Sequence, residues 1–320
     1  MKNFISVSDV PNIDAIIKKA LQYKSNPLMD VKLGKGKRLV MVFLNPSMRT
    51  RLSTQIAASN LGMESTVFNV NNEGWAIEFE DSVMMNGDSV EHIKDVAPIF
   101  GQYFDVLAVR TFPLLKNKNE DYREHCLNQF IKYSGLPVIS LESATLHPLQ
   151  SFSDLITIQE TIKPTKKPKV VLTWAPHIKP LPQCVANSFA QWMGAWGKAD
   201  FVITCPIGYE LDKKFSTNAQ ISHNQIEALK DADFVYAKNW SSYSQYGQMP
   251  SVDTQWMVTS EKMKVTNQAR IMHCLPVRRN VEIGDDVLDN PTSLITQQAG
   301  NRVWAAQTIL ADILNKNFQP

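Results

Sequence analysis

The sequence predicts an α/β fold made of two doubly wound parallel-sheet lobes with a cleft between them. Three observations carry that expectation. At 320 residues the chain is longer than one hydrophobic core comfortably serves. Short apolar runs alternate with amphipathic ones, which is the rhythm of strands and crossover helices. The rhythm then restarts near His147, so the halves read as two successive units of similar size.

In the first half, Asn12 is placed to cap a helix carrying Ile13, Ile16, Ile17, Ala20 and Leu21 on one face. Residues 38–44 read as a buried strand, 52–61 as a helix stopped by Gly62, and 66–70 as a strand. Asp88 and Glu91 have capping-box spacing ahead of a helix with Ile93, Val96, Ala97 and Phe100. A strand at 105–110, a helix at 122–133 ended by Gly135, and a strand at 138–141 follow. The second half opens with a helix at 147–162 and a charged, proline-containing linker at 163–169. Strands are expected at 170–174, 201–204, 234–237 and 270–273, and helices at 185–196, 224–230 and 302–314.

Composition narrows the function. Basic and acidic residues number 33 and 31, a net charge of +2, so the chain as a whole carries no footprint for nucleic acid or a membrane surface. The N-terminus meets Ser8 and Asp9 before any signal-like apolar run develops. The longest strongly apolar stretch, 39–44, falls far short of the ~20 residues of a membrane span. Cys126, Cys184, Cys205 and Cys274 show no C-x-x-C pairing. Structural zinc and a disulfide framework are therefore not expected, and reduced thiols in a cytoplasmic protein are.

No G-x-G-x-x-G follows the first strand of either half, and Gly34-Lys35-Gly36-Lys37 lacks the upstream glycine and the hydroxyl residue of a P-loop. The segment that stands out is Ser47-Met48-Arg49-Thr50-Arg51, between a buried strand and a helix. Free N–H groups, a positive helix terminus, hydroxyls and guanidiniums converge there, which suits a phosphate. The plain alternative is a capped helix start with solvated arginines, yet arginines in a first turn oppose the helix dipole. Two further segments are weak alone: His147-Pro148-Leu149-Gln150, and His273-Cys274-Leu275-Pro276 after a short strand. Cys274 as a covalent nucleophile has no base assignable from sequence.

Taken together, in this order, these segments resemble the aspartate/ornithine transcarbamylase family over nearly the whole chain. The resemblance implies a carbamoyl-phosphate-binding domain at 1–150, an acylornithine-binding domain at 151–300, and a C-terminal helix at 301–320 packing back on the first. It implies that Ser47, Met48, Arg49, Thr50 and Arg110 grip the phosphate, with Arg302 in the same site. His147, Arg110 and Thr50 are then expected at the carbonyl oxygen, and Gln150 with the backbone carbonyls of Cys274 and Leu275 at the carbamoyl amide. No cofactor and no metal are expected.

The chain departs from ordinary ornithine transcarbamylases in Ala237-Lys238-Asn239-Trp240-Ser241, where those enzymes carry an acidic grip on the free α-ammonium. A lysine would repel that charge, whereas an acylated amine is neutral and leaves the carboxylate to be bound. Val277-Arg278-Arg279 adds two candidate carboxylate partners. The pattern looks like the N-acylornithine branch. There, Glu142, His177, Lys238 and Arg278 handle the acylated amino acid, and Trp75 reaches into a neighbouring subunit of a homotrimer. Val90 lies on a loop resembling the acyl-sensing loop, and being uncharged it favours succinyl over acetyl. The expected reaction therefore turns carbamoyl phosphate and N-succinyl-L-ornithine into N-succinyl-L-citrulline and phosphate, in arginine biosynthesis. N-acetyl-L-ornithine is the alternative amine, and a non-catalytic carbamoyl-phosphate-binding paralogue the alternative of another class.

Overall fold

The structure, a computed structural model, describes residues 1–162, 167–250 and 253–317. The chain divides into two compact units. The first comprises Met1–Pro113, Asn119–Leu149 and the chain from Arg302; the second comprises Leu114–Lys118 and Gln150–Asn301.

The first unit holds β1 (Arg38–Phe43), β2 (Glu64–Asn69), the short β3 (Ile77–Glu78) and β4 (Glu91–His92), β5 (Val106–Arg110) and β6 (Val138–Glu142). Four of these form a parallel sheet in the order β2-β1-β5-β6, while β3 and β4 pair with each other. Leu39 to Phe43 are all buried, as are all five residues of β5. Strands covered on both faces read as unbroken apolar runs, which is why they were legible. Val40, Val42, Leu107 and Val109 pack with Val96, Phe100, Leu127 and Phe130 from the helices Ile93–Tyr103 and His125–Tyr133. The chain runs from β1 to β2 on one side and later to β5 on the other. The strand order thus reverses between β1 and β5, where Phe43 and Arg110 are register partners.

The second unit repeats the scheme with β7 (Lys169–Trp174), β8 (Asp200–Thr204), β9 (Gln220–Ser222), β10 (Phe234–Lys238) and β11 (Arg270–Met272), ordered β11-β10-β7-β8-β9. Its reversal falls between β7 and β10, where Trp174 pairs with Lys238. Val171, Val202, Leu229, Val235, Ile271 and Ile283 form the core beneath. In open parallel sheets a ligand crevice forms outside the carboxyl ends of the strands at such a reversal. Each unit offers one.

Several elements differ from expectation. The helix after β1 is Met48–Asn60 rather than 52–61, because Ser47 caps it by accepting from Thr50 N–H. Asp88 and Glu91 form no capping box. The helix opens at Ile93, and the His92 imidazole accepts from Lys94 N–H at 3.1 Å instead. The last helix, Ile295–Asn317, begins well before residue 302. Residues 163–166 of the expected linker lie outside the described residues, and Lys169 already belongs to β7. Among the described residues no helix is long and apolar enough to cross a membrane.

Candidate active site

In the first unit, the reversal between β1 and β5 is where the phosphate-type segment sits. Ser47 Oγ lies 3.0 Å from Thr50 Oγ1, and Arg302 Nη2 donates to the same Thr50 oxygen at 2.7 Å. Thr50 and Arg302 are buried, whereas Met48 is 66% exposed and starts the helix. Arg49 follows in the first turn, partly buried. The arrangement joins hydroxyls, helix N–H groups and guanidiniums, the donor set an oxyanion takes.

Arg110, the last residue of β5, is buried with its guanidinium 4.6 Å from the Phe112 ring centroid and donating to the Glu142 carboxylate. His147 Nε2 lies 3.4 Å from the same carboxylate. That geometry alone suggests an imidazolium, but burial, then the charges of Arg302 and Arg110, hold the His147 pKa well below the usual histidine range. One carboxylate already shared with Arg110 does not outweigh burial and two guanidiniums, so His147 is neutral. Its Nδ1 is buried with no hydrogen-bond partner among the described residues, a polar atom that a small ligand would satisfy. Glu124, in a left-handed conformation, accepts from Ser143 Oγ, Ala144 N–H and Thr145 N–H at 2.7–3.1 Å, and so fixes the loop leading to His147.

In the second unit, the reversal between β7 and β10 carries a second cluster. Lys238 ends β10 and is buried. Arg278 Nε donates to His177 Nε2 at 3.1 Å. His177 Nε2 is therefore an acceptor, its Nδ1–H donates to the Lys179 carbonyl at 2.8 Å, and the ring is neutral. Burial first, then Lys238 and Arg278, lowers its pKa, although Lys179 O and Glu282 pull the other way. Glu282, 1% exposed, accepts from Arg278 N–H at 2.7 Å and faces His273 Nε2 at 3.4 Å. Burial raises its pKa, but the hydrogen bond from His273, then Lys238 and the Arg278 N–H, bring it down to about 2. Leu275 N–H donates to His273 Nδ1 at 2.9 Å, and Leu275 takes φ of 58°, which turns the chain sharply after Cys274. Gln150 Nε2 donates to Asp154 at 2.7 Å.

The structure thus brings Ser47, Thr50 and Arg302 together, and likewise Arg110, Glu142 and His147. In the second unit it gathers His177, Lys238 and Arg278. Glu142, expected with the acylornithine group, is placed beside Arg110 and His147. Arg279 is a correction: it pairs with Asp285 and Asp289 at 2.9 and 2.7 Å and does not join Arg278 as a second carboxylate partner. Trp75 and Val90 stand apart. They are 62% and 61% exposed, on a loop stitched by Val90 N–H donating to Ala76 O at 3.1 Å. Glu282, Asp154, Gln298 and Glu124 were not foreseen. Only Glu282, four residues beyond Arg278, and Asp154, four beyond Gln150, left a local spacing to notice. Among the described residues no His, Cys, Asp and Glu cluster could hold a metal ion.

Comparison with known proteins finds one family over both parts of the chain. Residues 2–160 match the aspartate/ornithine carbamoyltransferase carbamoyl-P binding domain, and residues 183–313 match the Asp/Orn binding domain of the same family. An N-succinylornithine carbamoyltransferase of Bacteroides fragilis is 49% identical over 316 residues, covering 98% of this chain and 99% of that one. An N-acetylornithine carbamoyltransferase of Xanthomonas campestris pv. campestris is 35% identical over 342 residues, covering 99% of each. Among solved structures, an N-acetyl-L-ornithine transcarbamylase variant with one glutamate replaced by valine, complexed with carbamyl phosphate and N-succinyl-L-norvaline, superposes with a TM-score of 0.91. That variant is 34% identical, covering 98% of this chain and 100% of that one.

Proposed function

Because the chain belongs to the aspartate/ornithine carbamoyltransferase family, we propose that it transfers the carbamoyl group of carbamoyl phosphate to the side-chain amine of N-succinyl-L-ornithine. The products are N-succinyl-L-citrulline and phosphate, a step of arginine biosynthesis. The observation that carries the choice of amine is Lys238, a buried cation at the carboxyl end of β10. A free α-ammonium brought to it would meet like charge, while an acylated nitrogen would not. Arg278, oriented by His177 and Glu282, supplies a guanidinium for the α-carboxylate. Val90 is uncharged, and we take it to stand where the glutamate of the N-acetyl-L-ornithine transcarbamylase variant stood. That variant holds N-succinyl-L-norvaline once the glutamate is valine.

In this reading Ser47, Met48, Arg49, Thr50, Arg110 and Arg302 hold the phosphate. The amine nitrogen attacks the carbonyl carbon, the new C–N bond forms as the C–O bond to phosphate breaks, and charge builds on the carbonyl oxygen. Arg110, Thr50 and the neutral His147 stabilise that charge, and fixed orientation supplies much of the remaining rate. The amine, with an intrinsic pKa of about 10.4, reacts as the free base, and the departing phosphate takes up its proton. The working enzyme is a cytoplasmic homotrimer in which the exposed Trp75–Val90 loop reaches a neighbouring subunit's site. Mass spectrometry of a reaction holding carbamoyl phosphate and N-succinyl-L-ornithine tests the reading. A product heavier than the amine by one carbamoyl group is expected, and phosphate release without it would overturn the reading.

A further inference from the structure

In the second unit the helix Pro148–Thr161 meets the start of the helix Ile295–Asn317 through polar side chains. Ser153 Oγ donates to the Gln298 carbonyl at 2.7 Å, and Asn301 Nδ2 donates to Thr157 Oγ1 at 2.9 Å. At the centre lies Asp154, fully buried. Its Oδ1 accepts from two carboxamides, Gln150 Nε2 at 2.7 Å and Gln298 Nε2 at 2.7 Å. The other end of Gln298, Oε1, accepts from His273 N–H at 2.9 Å.

Burying a carboxyl between two helices costs stability that apolar packing would not. Its chemistry also fixes orientation. A carboxylate only accepts, so each carboxamide must turn its nitrogen toward Asp154; a backbone N–H only donates, so Gln298 must turn its oxygen toward His273. Both demands on Gln298 agree. Gln150 thereby turns Oε1, an acceptor, away from Asp154. Through Gln298 the same carboxyl ties down the strand end that continues into Cys274 and Leu275.

We propose that Asp154 is a positioning residue that makes the site select a carbamoyl NH2 group. It sets the Gln150 oxygen and the Cys274 and Leu275 carbonyls as a matched set of acceptors. The proposal rests on the proposed function and on the family resemblance, which implies that those groups hold the carbamoyl amide. An acyl phosphate with a methyl in place of the NH2 donates nothing to them, so the hydrogen bonds that a carbamoyl NH2 would give are lost.

The test is calorimetric binding of carbamoyl phosphate, acetyl phosphate and inorganic phosphate to the full-length protein. Wild type, Asp154→Leu, Asp154→Asn, Gln298→Leu and Gln150→Ala are compared. Asp154→Leu should lower the preference for carbamoyl over acetyl phosphate about tenfold or more, with inorganic phosphate affinity unchanged. Asp154→Asn keeps an acceptor oxygen and should restore most of the preference. Gln298→Leu should show a smaller loss, and it carries the test if Asp154→Leu does not bind inorganic phosphate. A variant that binds inorganic phosphate normally and keeps the wild-type preference overturns the proposal. If Gln150→Ala also keeps that preference, the assignment of Gln150 to the carbamoyl amide fails with it; if only Gln150→Ala loses it, the role of Asp154 alone fails.

Discussion

Glu282 is a buried acid whose ionisation couples to the stability of the second unit. Burial pushes its carboxyl up, yet His273, Lys238 and the Arg278 N–H bring it from 4.5 to about 2. An acid whose folded pKa lies below its unfolded one adds stability above the unfolded value, and that stability is lost as pH falls toward the folded value. The full span is roughly 3 kcal/mol, from 1.36 kcal/mol per pKa unit. Linkage places the loss at about 1 kcal/mol between pH 7 and pH 4, and about 2 kcal/mol by pH 3. Glu282→Gln keeps the shape and cannot titrate. Urea unfolding of both proteins, followed by the fluorescence of the buried Trp174, Trp240 and Trp256 of the same unit, should show a stability gap in favour of wild type at pH 7. The gap should narrow by about 1 kcal/mol at pH 4. A gap that stays constant with pH would refute the claim that Glu282 is held ionised by His273, Lys238 and Arg278.

Three further outcomes are expected. Arg49→Ala should lower kcat/KM by about 10²- to 10³-fold, the usual cost of one transition-state donor, with thermal unfolding unchanged; a near-native rate in the folded variant removes Arg49 from the phosphate site. Mixing inactive Trp75→Ala and Arg49→Ala subunits should recover activity, because hybrid trimers regain an intact shared site; a fully active monomer by light scattering contradicts this. Val90→Glu places like charge beside a succinyl carboxylate but not beside an acetyl group. It should shift the ratio of kcat/KM toward N-acetyl-L-ornithine by about tenfold, equivalent to about 1.4 kcal/mol, and an unchanged ratio means residue 90 does not sense the acyl group.

What was legible in the sequence follows from which interactions are local. The inner strands of both sheets announced themselves because burial on two faces demands continuous apolar runs, as in Leu39 to Phe43. The exposed edge strand Gln220–Ser222 has no such signature and was missed. Helix starts were placed late where the first turn is polar. The turn after Ser47 is cationic, and the turns after Ile295 carry Gln297, Gln298 and Asn301 to face Asp154 and Glu160. Apolar periodicity cannot see a helix that packs polar against polar. The Ser47–Arg51 segment was readable because cap, hydroxyls and arginines lie within five consecutive residues. The orienting acids were not, since Glu124 acts on a loop some twenty residues on, and Asp154 reaches Gln298 only through the fold. Arg279 was misassigned because its acid partners, Asp285 and Asp289, come from a turn and helix that sequence gave no reason to fold back.

The central claim is that this chain carbamoylates an acylated ornithine, and a single comparison tests it. Initial rates with saturating carbamoyl phosphate are measured against L-ornithine, N-acetyl-L-ornithine and N-succinyl-L-ornithine side by side, and kcat/KM is taken for each. N-succinyl-L-ornithine should lead N-acetyl-L-ornithine by at least about tenfold, or about 1.4 kcal/mol, with L-ornithine turned over hardly at all. Turnover of free ornithine comparable to that of the acylated amines would contradict it, because the buried Lys238 would then not be excluding the α-ammonium.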